Sequence, residues 1–404
     1  MKKWIIILFF IPGISNATQP DSLIQVNDTN FILPDTVIVN NIIPDTSFID
    51  SLLVSDSTIF TDSLIAKTDT LTFIGVGDIM LGTDYPSTKY LPPGNNCYPL
   101  LTEVKPFLKD ADITFGNVEG VFAGNKGTPK HCNNPDQCYV FRMPVEYVNC
   151  LTDAGFDIVS IANNHMNDFG KGGRENTVKV LDSAGLAFAG LYSHPYTIYD
   201  HADYKIGFCA FSPNTGVVNL HDLPGAVSIV RMLEEKCDIV MVSVHGGAEG
   251  KNHQHVTRED EVYLGHNRGN IYNFTHQLVD VGADIVFGHG PHVTRAMEIY
   301  NDRFIIYSLG NFCTYARFNI SGPNGIAPMV KLWVDNNGTF IKGKVTPVRQ
   351  TGEGGTSIDP HKRAIYKLRD LTKLDFPELY HLQITEDGDI LVNEQKLVDS
   401  DNDE

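Results

Sequence analysis

Positive charge is scarce in this chain, and no long apolar run is present. Its 404 residues carry 31 Lys and Arg against 49 Asp and Glu, a formal net charge of −18. A nucleic-acid binder needs a basic face to displace counterions from phosphates, so that class is excluded. Docking on anionic lipid by charge alone is disfavoured for the same reason. No apolar stretch approaches the ~20 residues of a spanning helix, which excludes a polytopic membrane protein and predicts a mature chain without a transmembrane segment. Cysteine is absent before Cys97, so no thiol near the N-terminus can carry a lipid.

What stands at the N-terminus is a targeting pattern. Lys2 and Lys3 precede the apolar run from Trp4 to Ile11, which Pro12 and Gly13 break. Ser15-Asn16-Ala17 then offers small residues where a signal peptidase reads. The expectation is a signal peptide over 1–17, cleavage after about Ala17, and an exported protein, periplasmic or extracellular. Residues 18–70 follow with eight Asp, no Glu and Lys67 as the single basic residue. They read as a disordered acidic spacer. Export is compatible with disulfides. Cys132 and Cys138 flank a turn-rich stretch and form the expected bridge, with a zinc knuckle beside His131 as the weaker alternative. Cys209, Cys237 and Cys313 lie in or beside apolar runs and read as buried free thiols.

From residue 71 one pattern repeats. A short β-branched run ends in a polar or glycine-rich cluster, and a helical pattern follows. The runs are 71–76, 113–115, 156–161, 239–244, 285–287 and 304–308, as expected of buried strands. Helical spacing is predicted over 100–108 and around Val148, Leu151 and Ala154. Gly155 and Gly282 mark helix ends that need a positive φ, with a strand starting three residues later. Alternating helices and strands imply α/β layering, in which ligands bind beyond the carboxyl ends of the strands. Every polar cluster falls at such an end.

The clusters contribute Asp78, Asn117, Glu119, Asn164, His165, His245, His289 and His292. Imidazoles mixed with carboxylates and an amide oxygen suit a borderline divalent metal such as Zn, Mn or Fe. One such residue alone would be an ordinary core or surface side chain; six clusters with one ligand palette are not. Arg142, Arg174, Arg295 and Arg317 are candidates for gripping an anion in bidentate fashion. Arg317, with Tyr315, ranks highest because both follow the Asn311 cluster.

The stretches Val76-Gly77-Asp78-Ile79-Met80-Leu81-Gly82, Gly116-Asn117-Val118-Glu119, Ala162-Asn163-Asn164-His165, His245-Gly246-Gly247-Ala248-Glu249, Gly288-His289-Gly290-Pro291-His292 and Ser308-Leu309-Gly310-Asn311-Phe312 resemble, in order, the CapA family of poly-γ-glutamate capsule synthesis proteins, within the calcineurin-like metallophosphoesterase superfamily. The resemblance covers about residues 71–350. It implies a metallophosphoesterase-like sandwich of two packed β-sheets flanked by α-helices. It implies Asp78 and His292 at a first metal, Asn164, His245 and His289 at a second, and Glu119 bridging them. His165 would be catalytic, protonating a leaving group or holding an oxyanion. Asn117, Glu249, Asn311 and Arg317 would contact substrate. Two departures stand out: Met80 replaces the superfamily's first-motif His, and two residues rather than one separate His289 from His292. Met80 predicts one tight metal and a second that is weak or absent.

Two functions follow from the resemblance. One is a metal-dependent hydrolase acting on an anionic extracytoplasmic polymer or a phosphoester. The other is a non-catalytic component that binds the polymer or a membrane synthase complex. Beyond residue 350, a helical pattern over Ala364, Ile365, Leu368, Leu371 and Leu374 and a hairpin over 382–392 are expected to pack on the domain, ahead of an acidic tail over 399–404.

Overall fold

A computed structural model describes residues 70–131 and 138–393, all within the unit Ala66–Glu404. The expected signal peptide, nearly all of the spacer, the acidic tail and Cys132 lie outside the described residues. Among the described residues no helix is long and apolar enough to cross a membrane.

Ten strands form one sheet and six another. The strand Thr70–Met80 runs through the first. It pairs in parallel with Ile113–Val118 and Asn311–Thr314, and antiparallel with Ile326–Asp335. In the second, Ile239–His245 lies between Tyr204–Phe211 and Ile285–His289, all parallel. The β-branched runs make these strands nearly continuous in burial, as two-sided coverage requires.

The sheets pack face to face through aromatic rings. Phe115 stacks on Phe287 with centroids 5.1 Å apart and meets Phe208 at 5.5 Å. Gly75 faces this contact, and a Cβ there would stand 2.2 Å from a ring carbon of Phe287, so only glycine fits. Helices Leu223–Glu234 and Ile271–Val279 cover the outer face of the second sheet, burying Val230, Leu233, Phe274 and Leu278. Each is N-capped, by Asp222 and Asn270 respectively. Val148–Ala154 and Gly170–Ala184 flank the first sheet and bury Leu151 and Leu181. The fold is the expected α/β sandwich of two sheets with helices outside.

Local expectations meet mixed outcomes. Gly155 caps Val148–Ala154 at φ 97°, and the next strand starts at Ile158. Ahead of Ile285, the helix stops at Val279 and Gly282 takes φ 114° in the turn that follows. The single helix expected over 100–108 is corrected: a 3-10 turn, Tyr98–Leu100, and a four-residue helix, Lys105–Leu108, take its place. Pro106 lacks the N–H that a continuous helix over these residues needs. A disulfide not foreseen joins Cys97 to Cys150, anchoring the segment before Leu100 to the helix Val148–Ala154. Cys138 is disulfide-bonded; Cys209 and Cys313 are buried free thiols, and Cys237 is half-buried. The helix Arg363–Asp375 buries Ala364, Ile365, Leu368 and Leu371, while Leu374 faces solvent. Strands Leu382–Ile384 and Asp389–Val392 form a hairpin that extends the first sheet.

Candidate metal centre

Register along the parallel strands assembles the polar clusters. Asp78 pairs with Asn117 on one side and Asn311 on the other. In the second sheet His245 pairs with His289. Gly77 allows the first strand to lie against the turn before Asn311, because a Cβ there would sit 1.9 Å from the carbonyl oxygen of Gly310.

Asp78 is fully buried and receives three donors. Asn117 Nδ2 lies 2.9 Å and His289 Nδ1 3.1 Å from Oδ1, and His292 Nδ1 lies 2.9 Å from Oδ2. Burial alone would raise its pKa, but the two imidazoles hold it well below the usual carboxylate range. Burial pushes the neighbouring Glu119 carboxyl well up. The Nε2 of His292 stands 3.5 Å from Glu119 Oε1. Burial works against a charge on His292, yet Glu119 and Asp78 together draw its pKa up to about 10. His292 sits at φ 57°, a left-handed conformation uncommon outside glycine. Two amides hold it there: Asn324 Nδ2 and Asn311 Nδ2 donate to its carbonyl at 3.0 and 3.3 Å.

Several buried side-chain polar atoms lack a hydrogen-bond partner. They are Glu119 Oε1, Asn164 Oδ1, both ring nitrogens of His245, and His289 Nε2. Leaving a buried polar atom unpaired costs roughly 1–3 kcal/mol, so their accumulation fits a place built for a cation. Burial drives the His245 pKa well below its ordinary value, leaving a neutral ring with a lone pair to offer. The Nδ1–H of His289, donated to Asp78, orients Nε2 as a ligand. Ligand atoms of Asp78, Glu119 and His292 also lie within 4.8 Å of one another. The donor set therefore fits a divalent metal. Met80 is fully buried, and its sulfur accepts from the backbone N–H of Gly82 at 3.3 Å.

His165 lines a cavity of about 620 Å³ together with Asn164 and His292. Its Nδ1 lies 2.8 Å from Asp168 Oδ2, and Phe141 packs on its ring at 4.2 Å. Burial lowers its pKa, so the ring is neutral near pH 7. Asp168 also accepts from the Phe141 N–H and pairs with Lys130. This carboxylate was not singled out in the sequence, although its i+3 spacing from His165 is a readable signal. Asn163 was likewise missed: its amide bridges to Asn117 Oδ1 at 3.1 Å and to the Val118 carbonyl.

The substrate candidates separate. Asn117 is fully buried, and its amide serves Asp78, Glu119 and Asn163. Asn311 lines the cavity but spends its side chain on His292 and Asn324. Glu249 lines the cavity and pairs with Arg268 at 3.0 Å. Arg317 lines it too, donating to the Cys138 carbonyl and lying over Tyr90 and Tyr139. The other arginines are spoken for: Arg142 by Asp84, Arg174 by Asn167, and Arg295 by Glu261.

The family described as Bacterial capsule synthesis protein PGA_cap matches residues 72–316. The chain belongs to that family. Among its relatives, the capsule biosynthesis protein CapA of Bacillus anthracis is 27% identical over 266 residues, covering 61% of this chain and 60% of that one. The PGA biosynthesis protein CapA of Bacillus subtilis (strain 168) is 26% identical over 261 residues, covering 60% and 63%. The chain thus spans about three fifths of the length of these curated relatives. Among solved structures, the calcineurin-like phosphoesterase YfkN from Bacillus subtilis has 14% identity and a TM-score of 0.38, covering 72% of this chain and 91% of that one. That likeness carries no chemistry over to this PGA_cap member.

Proposed function

We propose that this PGA_cap protein is exported and acts in the biosynthesis of a capsular or poly-γ-glutamate-type polymer, as a metal-dependent hydrolase. The observation that supports it best is the set of buried ligand atoms without a hydrogen bond on Glu119, Asn164, His245 and His289, set beside an open cavity. These four residues would hold one metal tightly, while Asp78, Glu119 and His292 would form a weaker second set. When bound, a divalent ion supplies Lewis acidity, polarising a substrate oxygen and acidifying water. Arg317 draws an anionic group into the cavity. Phe141, stacked 4.9 Å from Phe318, forms an apolar part of the cavity wall. With its Nδ1–H donated to Asp168, neutral His165 keeps Nε2 free to accept a proton and return it to a leaving group.

Elemental analysis of the purified protein, followed by turnover on γ-glutamyl amides and phosphoesters, tests this reading. His165→Gln should retain metal and lose about 10²–10⁴-fold in turnover, the usual contribution of acid–base catalysis. A fully metal-loaded wild type that binds anionic polymer but turns over neither substrate class would instead establish the non-catalytic role, as a polymer-binding part of a membrane synthase assembly.

A further inference from the structure

The cavity over the metal centre does not end there. It shares Glu249, Gly250, Tyr263, Asn319 and Asn324 with a second cavity of about 580 Å³. The second shares Lys251, Asn252 and Pro323 with a third of about 670 Å³, which reaches the C-terminal helix at Arg363 and Lys367. One groove therefore runs from His165 and His292 to the far side of the loop after Glu249.

Its lining reverses the balance of the chain. The sequence has 31 Lys and Arg against 49 Asp and Glu, whereas the three cavities are lined by six Lys and Arg and only Glu249 and Asp370 as acids. Lys130, Arg268 and Arg363 are paired with Asp168, Glu249 and Asp359. Among the described residues Arg317 at one end, and Lys251 and Lys367 at the other, have no carboxylate partner. Local reversal of a strong global charge concentrates an oppositely charged ligand in the groove.

Amides lie beside the distal cations. Asn252 and Gln254 line the third cavity, and the Gln254 Oε1 is buried without a hydrogen-bond partner. An unused acceptor asks for an N–H donor, which a polyphosphate lacks and a polyamide has. The groove wall is also held still. Arg295 donates to the carbonyls of Ala248 and His253, and Asp375 accepts from the ring of His255 and the N–H of Val256.

From this arrangement we infer that Lys251, Gln254 and Lys367 form a distal subsite for a polyamide bearing repeated carboxylates, whose other end lies at the metal centre. The inference rests on the polymer reading of the site. It makes chain length a determinant of binding, because a ligand that reaches both ends gains from linking two weak contacts.

The test compares the full-length, metal-loaded protein with its Lys251→Gln/Lys367→Gln variant, at one fixed salt concentration because exposed charges are screened. The probes are γ-linked oligoglutamates of about three and about thirty residues, with polyphosphate of matched length as control. Wild type should bind the long oligomer at least about tenfold more tightly than the short one. The variant should lose about tenfold on the long oligomer, as two exposed ion pairs allow, and stay within about twofold on the short. Gln254→Met should weaken the long oligoglutamate and leave polyphosphate unchanged. Equal wild-type affinity for both lengths, or equal losses on both in the variant, overturns the distal subsite alone. Equal sensitivity of polyphosphate to Gln254→Met overturns the polyamide assignment. If wild type binds no oligoglutamate of either length, the polymer reading itself falls.

Discussion

The imidazole of His289 meets Asp78 across 3.1 Å, Nδ1 to Oδ1, with both side chains fully buried. The carboxylate can only accept, so the ring carries its proton on Nδ1 and presents Nε2 as a lone pair. Asp78→Asn keeps the volume while removing the charge that sets this tautomer. Metal affinity should fall about 10–100-fold, the usual effect of losing such a partner. Isothermal titration of metal-stripped protein measures it, and an unchanged affinity would mean that His289 is oriented by packing alone.

Met80 predicts unequal metals. Its side chain is buried and engaged by the Gly82 N–H, leaving Asp78, Glu119 and His292 without a fourth protein ligand. Stepwise titration with elemental analysis should give one tight ion per chain. Met80→His should raise occupancy of the weaker position. Two tight ions in wild type, unaltered by the substitution, would sink this prediction.

Acid should destabilise the metal-free protein through its buried histidines. Burial lowers the folded pKa of His165 from 6.5 and lowers that of His245 further. The unfolded chain then binds more protons below about pH 6.5, so stability is full above that value and lost as pH falls through the folded pKa. His165→Gln removes one of these groups. Urea denaturation in the presence of a chelator should show a shallower loss between pH 7 and 5 for the variant than for wild type.

Arg295 is a structural clamp. Its guanidinium meets both oxygens of Glu261 at 2.7 Å in the interior. Arg295→Met should cost about 3–5 kcal/mol, because Glu261 is left charged and buried. Adding Glu261→Gln should recover part of that loss. Equilibrium denaturation of the single and double variants checks both statements.

The convergence of these polar side chains was legible in the sequence for a physical reason. Buried parallel strands need β-branched runs, their carboxyl ends open on a common edge, and His245, His289, Asp78 and Asn117 stand at those ends. Local signals also mark other elements: Asn337-Gly338 turns the long hairpin between Ile326–Asp335 and Phe340–Gln350, and prolines break the segment 98–108. The pairing of Glu249 with Arg268, Cys97 with Cys150, and His255 with Asp375 was beyond reach. Such contacts join distant points of the chain, 120 residues apart for the last, and no local periodicity encodes them.

That last contact also joins an early part of the chain to a late one. Every proposed metal ligand precedes Val293 in the chain, while the outer wall of the groove is braced by Asp375 and lined by Arg363 and Lys367. A polypeptide emerging N-terminus first presents these proposed ligands long before the helix Arg363–Asp375 is available. The cavity over the proposed centre is lined by residues up to Asn324, so its walls precede that helix in the chain, and only the distal end of the groove waits for it.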